Sequence, residues 1–300
     1  MPSIPSYKPS GKFEPTTFVF ALGLGLIGAA GVGWLYQWFV DMVPLIYINM
    51  FATAGFGAVL GACVGFGARM GKCRNYMLVV VMAVGIAVVA EGATMYYAYQ
   101  RTISKAVKLG TKRYLGGKKA TPKMVKAFRK RIKERFTIEK YIKLRVKNGW
   151  KVRRSLKITG VFVYIIWLIE LGIMLVLAVM VGGGMVSDPF CERGNRWADE
   201  VKLGIVPGVI PEAAEEALAM ADLNFFVDVE TIPTDEELPT HLDYTLYLCD
   251  TAGYLSVSLV TIHVNEKGEE NTNTTELLEY AQVDTTQAEH LRAVLGEADA

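Results

Sequence analysis

Apolar residues along this chain fall into four long blocks, near residues 16–40, 44–68, 76–98 and 158–183, with polar sequence between them. A bilayer core is spanned by about 20 helical residues, and each block is long enough. The pattern predicts four transmembrane helices. Only Asp41, Met42 and Val43 separate the first two blocks, which predicts a tight antiparallel hairpin with Pro44 at the start of its second helix. The first block repeats small residues at Ala21, Gly25, Ala29 and Gly33, and the second at Thr53, Gly57, Gly61 and Gly65. A four-residue step keeps these positions on one helix face, where backbones can approach closely in lipid. Packing of the hairpin against itself is the expected use of the two grooves, and a homo-oligomer or pore is the alternative. The third block ends in "MYYAYQ", where Tyr96, Tyr97 and Tyr99 suit an interfacial aromatic belt.

The polar segments divide sharply. Residues 1–15 are rich in Pro and Ser and predict an extended start. Residues 101–157 form a basic loop, in which Thr121 and Pro122 predict a helix start, with Val125, Phe128 and Ile132 on one face. Lys126, Arg129, Lys130, Arg131, Lys133 and Arg135 occupy the rest of that helix. A second helix is expected from Thr137, with Ile138, Tyr141 and Ile142 together and a stop at Asn148 and Gly149. Residues 188–300 alternate between strand and helix patterns and predict an α+β domain. "PEAAEEALAMADLNFF" reads as a helix, "DYTLYLCD", "YLSVSLVTIHV" and "TELLEYAQV" as strands, "NEKGEE" as a turn, and "TTQAEHLRAVL" as a closing helix capped by Thr286 and Glu289.

Composition sharpens this division. The 52% hydrophobic content and mean hydropathy of +0.27 are concentrated in the four blocks. The net charge of +2 conceals two opposite regions. Residues 101–157 hold 22 Lys and Arg against Glu134 and Glu139, a net +20. Residues 188–300 hold 5 Lys and Arg against 24 Asp and Glu, a net −19. Basic residues beside spans stay cytoplasmic, so the loop is expected inside and both termini outside. Lys8, Lys12, Arg69, Lys72 and Arg74 run against that orientation, because it puts all five outside. A re-entrant fourth block would instead leave the acidic tail inside with the loop. The basic helix is expected to lie on anionic lipid, with an acidic protein as a second possible partner. Its charge would also suit nucleic acid, but no nucleic-acid-binding motif accompanies it.

Two carboxylates interrupt the apolar blocks: Glu91 in "VVAEGAT" and Glu170 in "WLIELGI". No Lys or Arg falls within any block to pair with them. Counted from the basic loop, their depths differ by under roughly 10 Å at the rise of a helix. They can share a cavity if the third and fourth helices are neighbours, as a proton or cation site or as structural residues. The tail offers no catalytic set. Ser256 and Ser258 lack nucleophile-elbow glycines, and His241, His263 and His290 are scattered. No cofactor or metal set is expected.

"FCERGNRW" and "LCDTAGYLSV" each resemble a zinc-ribbon knuckle whose second cysteine is replaced, by Gly194 after Cys191 and by Ala252 after Cys249. "YKPSGKFEP", the Gly-rich hairpin and "WLIELGI" resemble uncharacterised bacterial multi-span proteins, a resemblance that implies no activity. Two thiolates do not complete a structural zinc site; His241 or His263 could in principle complete one, but neither has knuckle spacing. Cys191 and Cys249 are therefore a disulfide or two free buried thiols, depending on the compartment. The chain reads as a non-catalytic, membrane-anchored interaction or assembly protein of the bacterial inner or plasma membrane. Its tail would bind an unknown protein partner. A small proton- or cation-coupled transporter or channel component using Glu91 and Glu170 is the alternative.

Overall fold

A computed structural model describes residues 4–43, 46–114, 121–151, 157–229, 239–250, 252–264 and 270–296. The Pro44 helix start and the "NEKGEE" turn lie largely outside these residues. The chain forms two compact units, one of Gly11–Ser187 and one of Met1–Ser10 with Asp188–Ala300.

The first unit is helical. It contains α1 (Thr16–Met42), α2 (Ile46–Met70), α3 (Tyr76–Tyr114), α4 (Pro122–Arg135), α5 (Ile138–Asn148), a short β1–β2 pair (Trp150–Lys151, Lys157–Ile158) and α6 (Val161–Gly184). Four of these helices, α1, α2, α3 and α6, are long and apolar enough to cross a membrane. Their outward faces stay apolar: Val19, Ile27, Phe51, Val81 and Leu168 are all strongly exposed. α2 packs on α1, α3 and α6, while α3 also packs on α1 and α6.

Glycine determines how α2 meets its neighbours. A Cβ on Gly57, Gly61 or Gly65 would sit 2.5–2.8 Å from the backbone oxygens of Met174, Ala178 and Gly182. The α2 groove therefore receives α6, not its hairpin partner. The α1 groove faces both α2 and α3: Gly25 abuts Val64 and Ile86, and Gly33 abuts Phe56 and Thr94. The expectation of intramolecular packing describes these contacts, but the hairpin alone does not account for them.

α3 runs well past the expected end near residue 98. Its 39 residues extend about 58 Å at 1.5 Å per residue. The basic extension stays helical because Tyr99, Ile103 and Val107 bury one face against Val125, Ile132, Phe136, Tyr141 and Ile142 of α4, α5 and their connection. Gly110 lies against the Phe128 ring.

The second unit contains β3 (Phe190–Cys191), β4 (Arg196–Trp197), β5 (Asp199–Lys202), β6 (Val206–Pro207), α7 (Pro211–Met220), α8 (Asn224–Val227), β7 (Thr240–Leu248), β8 (Gly253–Val264), β9 (Glu270–Val283) and α9 (Thr285–Leu295). An antiparallel sheet runs in the order β5-β7-β8-β9, with β6 also on β7. Alternate residues of β7 and β8, among them Leu242, Tyr244, Leu246, Leu255 and Val257, meet Ala214, Phe226 and Leu291 from the helices in one core. The expected single helix from Pro211 is two, because Ala221 turns left-handed at φ 56° and ends α7. The capping box of α9 also lies two residues earlier than expected. Asp284 accepts from the Gln287 amide at 2.8 Å, and the Gln287 side chain accepts from the Asp284 amide at 3.0 Å.

Candidate functional site

Glu91 on α3 and Glu170 on α6 line one cavity of about 50 Å³, with Tyr36 from α1 and Arg145 from α5. The two carboxylates meet because α3 and α6 are neighbours and both enter from the basic segment. Glu170 is only 6% exposed, and its Oε1 is fully buried without a hydrogen-bond partner. Tyr36 is fixed by a 2.8 Å hydrogen bond with the Thr53 hydroxyl and by stacking on Phe56. The Thr94 hydroxyl donates to the Glu91 backbone carbonyl at 2.8 Å. Arg145 is the participant that the span-by-span reading missed. Arg145 arrives from the amphipathic segment between the spans, not from a span. Its position in α5, one helical step from Tyr141 and Ile142, was the available signal.

The basic helices also differ from a lipid-embedded helix. Val125 and Ile132 of α4 are used against α3, and Phe128 meets Gly110. Lys126, Arg129, Lys130, Arg131, Lys133 and Arg135 all remain exposed. Arg129 also donates to the Ser104 hydroxyl at 3.2 Å. The outward face of α4 thus presents its Lys and Arg side chains.

In the sheet unit, Cys191 and Cys249 are bonded as a disulfide that links β3 to the end of β7 across 58 residues of sequence. The two knuckle-like loops approach each other through sulfur. Gly194 has a local reason: a Cβ there would lie 2.7 Å from Asp250 Oδ2. Asp250 pairs with Arg196 at 2.9 Å, and Arg196 also binds Asp199. Among the described residues, no three His, Cys, Asp or Glu side chains gather as a metal set.

The extended start of the chain belongs to this same unit. Ser6 bridges Ala281, the Tyr7 amide donates to the Tyr280 carbonyl at 2.9 Å, and the Gln282 amide donates to the Pro5 carbonyl at 2.8 Å. Residues 5–7 thus form a strap along the β9 edge. The Tyr7 ring packs edge-on against Tyr254 and Tyr280. Tyr280 is aimed there by a bulge: its φ is +51°, its amide donates to the Ser256 hydroxyl at 3.1 Å, and the β8–β9 register shifts beside it. Burial, followed by Tyr247 and Asp188, raises the Tyr280 phenol. Burial, with Glu200 and Asp188, pushes Tyr247 up to about 12.

No family model, curated protein or solved structure matches the chain.

Proposed function

We propose that the chain is an integral membrane protein that displays its acidic sheet unit outside the cytoplasm as a non-catalytic binding or assembly module. The strap is the observation that carries this reading. Residues 5–7 precede the first apolar helix and the sheet follows the last, yet the two hydrogen-bond as one unit. In this reading both ends of the chain lie on the same side of the bilayer, with an even number of crossings between them. Four long apolar helices give that even number, whereas a re-entrant fourth block would leave three. The net +20 segment lies on the opposite side, where basic residues favour the cytoplasm.

Two features support this orientation. A Cys191–Cys249 disulfide persists in an oxidising compartment. Two of the five basic residues left outside are held in the helical unit: Arg69 donates to the Met185 carbonyl at the end of α6 at 3.0 Å, and Arg74 is buried. The α4 face then meets anionic lipid by charge, at about 1 kcal/mol for each Lys or Arg near the surface. The acidic unit, net −19, favours a partner with a basic surface.

Photo-cross-linkers at the exposed positions Glu212 and Glu289 of the full chain test the reading in intact cells. Discrete adducts that weaken at high salt are expected. Solute flux through liposomes holding the purified protein, with no adduct in cells, would overturn it in favour of a transporter.

A further inference from the structure

The cavity between α3, α5 and α6 has a composition that the binding role does not use. Its lining carries two carboxylates, Glu91 and Glu170, against one guanidinium, Arg145. Tyr36 and Tyr141 are the other titratable groups around it. Thr53 of α2 is bonded to Tyr36 behind the lining. Arg101, on the Glu91 helix, donates to the Gln37 carbonyl at 3.3 Å. Among the lining residues one negative charge is left without a counter-charge, and the buried Glu170 Oε1 has no hydrogen-bond donor. An ionised carboxylate in that state is costly, whereas a proton on it removes the charge and supplies a donor.

We infer that the Glu91–Glu170 cavity is a proton-binding site, with Arg145 as its resident counter-cation. The volume supports a proton over other ligands. About 50 Å³ admits a few water molecules, each needing about 10–15 Å³, and leaves no room for an organic solute. A metal cation would be repelled by the Arg145 charge in the same lining. In the binding step, hydronium transfers a proton to a carboxylate oxygen, forming an O–H bond and leaving neutral water. Release reverses the step. Arg145 opposes protonation because its charge favours the carboxylate form. Since Arg145 belongs to α5, displacement of that helix would change the site's hold on the proton. The inference rests on the four apolar helices lying in lipid, not on which side the sheet unit faces.

The test uses the full chain in liposomes and a hydrophobic carbodiimide, which modifies protonated carboxyls in apolar surroundings. Peptide mass spectrometry reads the adducts. Adducts at Glu170 or Glu91 are expected, with a labelled fraction that falls about tenfold per pH unit on the alkaline side. Arg145→Gln should raise the labelled fraction at a fixed pH, and Arg145→Lys should stay near wild type and confirm that the position tolerates substitution. Absence of adducts at both residues between about pH 5 and 9, or labelling that ignores pH, would overturn the site. Protection by sodium or potassium at constant pH would replace the proton with a metal cation. Equal labelling of Arg145→Gln and wild type would remove Arg145 from the account. Because adducts form whichever way the protein is inserted, failure here is separable from failure of the binding role.

Discussion

Gly61 and Gly92 show how differently one residue type can be used. At Gly61 a Cβ would lie 2.5 Å from the Ala178 carbonyl oxygen, and backbone cannot swing aside as a flexible side chain can. At Gly92 nothing lies within 4 Å. Gly61→Val should therefore separate α2 from α6 and cost at least the 1–3 kcal/mol typical of overpacking, about that much or more. Gly92→Ala should be neutral or stabilise by roughly 0.5–1 kcal/mol through helix propensity. Thermal melting in detergent measures both, and equal effects would contradict the packing. The four-residue steps were legible in the sequence. Their partners were not, because spacing marks a smooth face without saying which helix comes to it. Gly194 is similar. The missing knuckle cysteine was visible, but its cause, Asp250 held by Arg196, needs a contact over more than 50 residues.

The tyrosines around the strap give a residue-scale prediction with a definite sign. Tyr247 and Tyr280 titrate in the fold above the ordinary value of 10.0. Their contribution to stability is complete below about pH 10 and is lost as pH rises through the folded values, about 12 for Tyr247. Alkaline unfolding of the sheet unit should coincide with tyrosinate absorbance. The Tyr247→Phe, Tyr280→Phe double variant should unfold at higher pH than wild type. An unchanged midpoint would contradict the burial described.

Among elements, α3 and the strap depart most from what the pattern predicts. Hydropathy ends the third apolar block near residue 98, whereas the helix continues to Tyr114. Ile103 and Val107 keep helical spacing among the lysines, a signal that a search for spans passes over. The α4 pattern was read correctly as amphipathic, but its apolar side faces α3, a choice that no single-helix pattern contains. The Asp284 cap was missed because Thr286 and Glu289 offer the same spacing two residues later. Residues 5–7 carry almost no pattern, and their pairing with β9 is a non-local hydrogen-bond choice. Tyr7→Ala removes two edge-on ring contacts, each worth about 0.5–1.5 kcal/mol beyond area burial. Hydrogen exchange at the Gln282 amide, bonded to Pro5, should rise, with little change at Leu246 in the buried sheet. Uniform loss of protection would mean that the strap is integral to folding of the whole unit.

Across the whole molecule, four apolar helices, the segregated charges and the α+β tail were legible because each spans many residues. Glu91 and Glu170 were legible as isolated carboxylates, and their shared cavity followed from depth once α3 and α6 proved adjacent. Arg145 and the strap were not, since both are contributions from segments outside the element they complete. The orientation proposed from the strap and the disulfide puts the sheet unit outside and the basic helices inside. Thiol labelling in intact cells measures it most directly. With the free cysteines replaced as Cys63→Ala and Cys73→Ser, a membrane-impermeant reagent reads Cys191 and Cys249 alone. No labelling is expected without reductant, and labelling of both is expected after an impermeant reductant is added outside. Labelling only after lysis, with no reductant needed, would contradict that orientation.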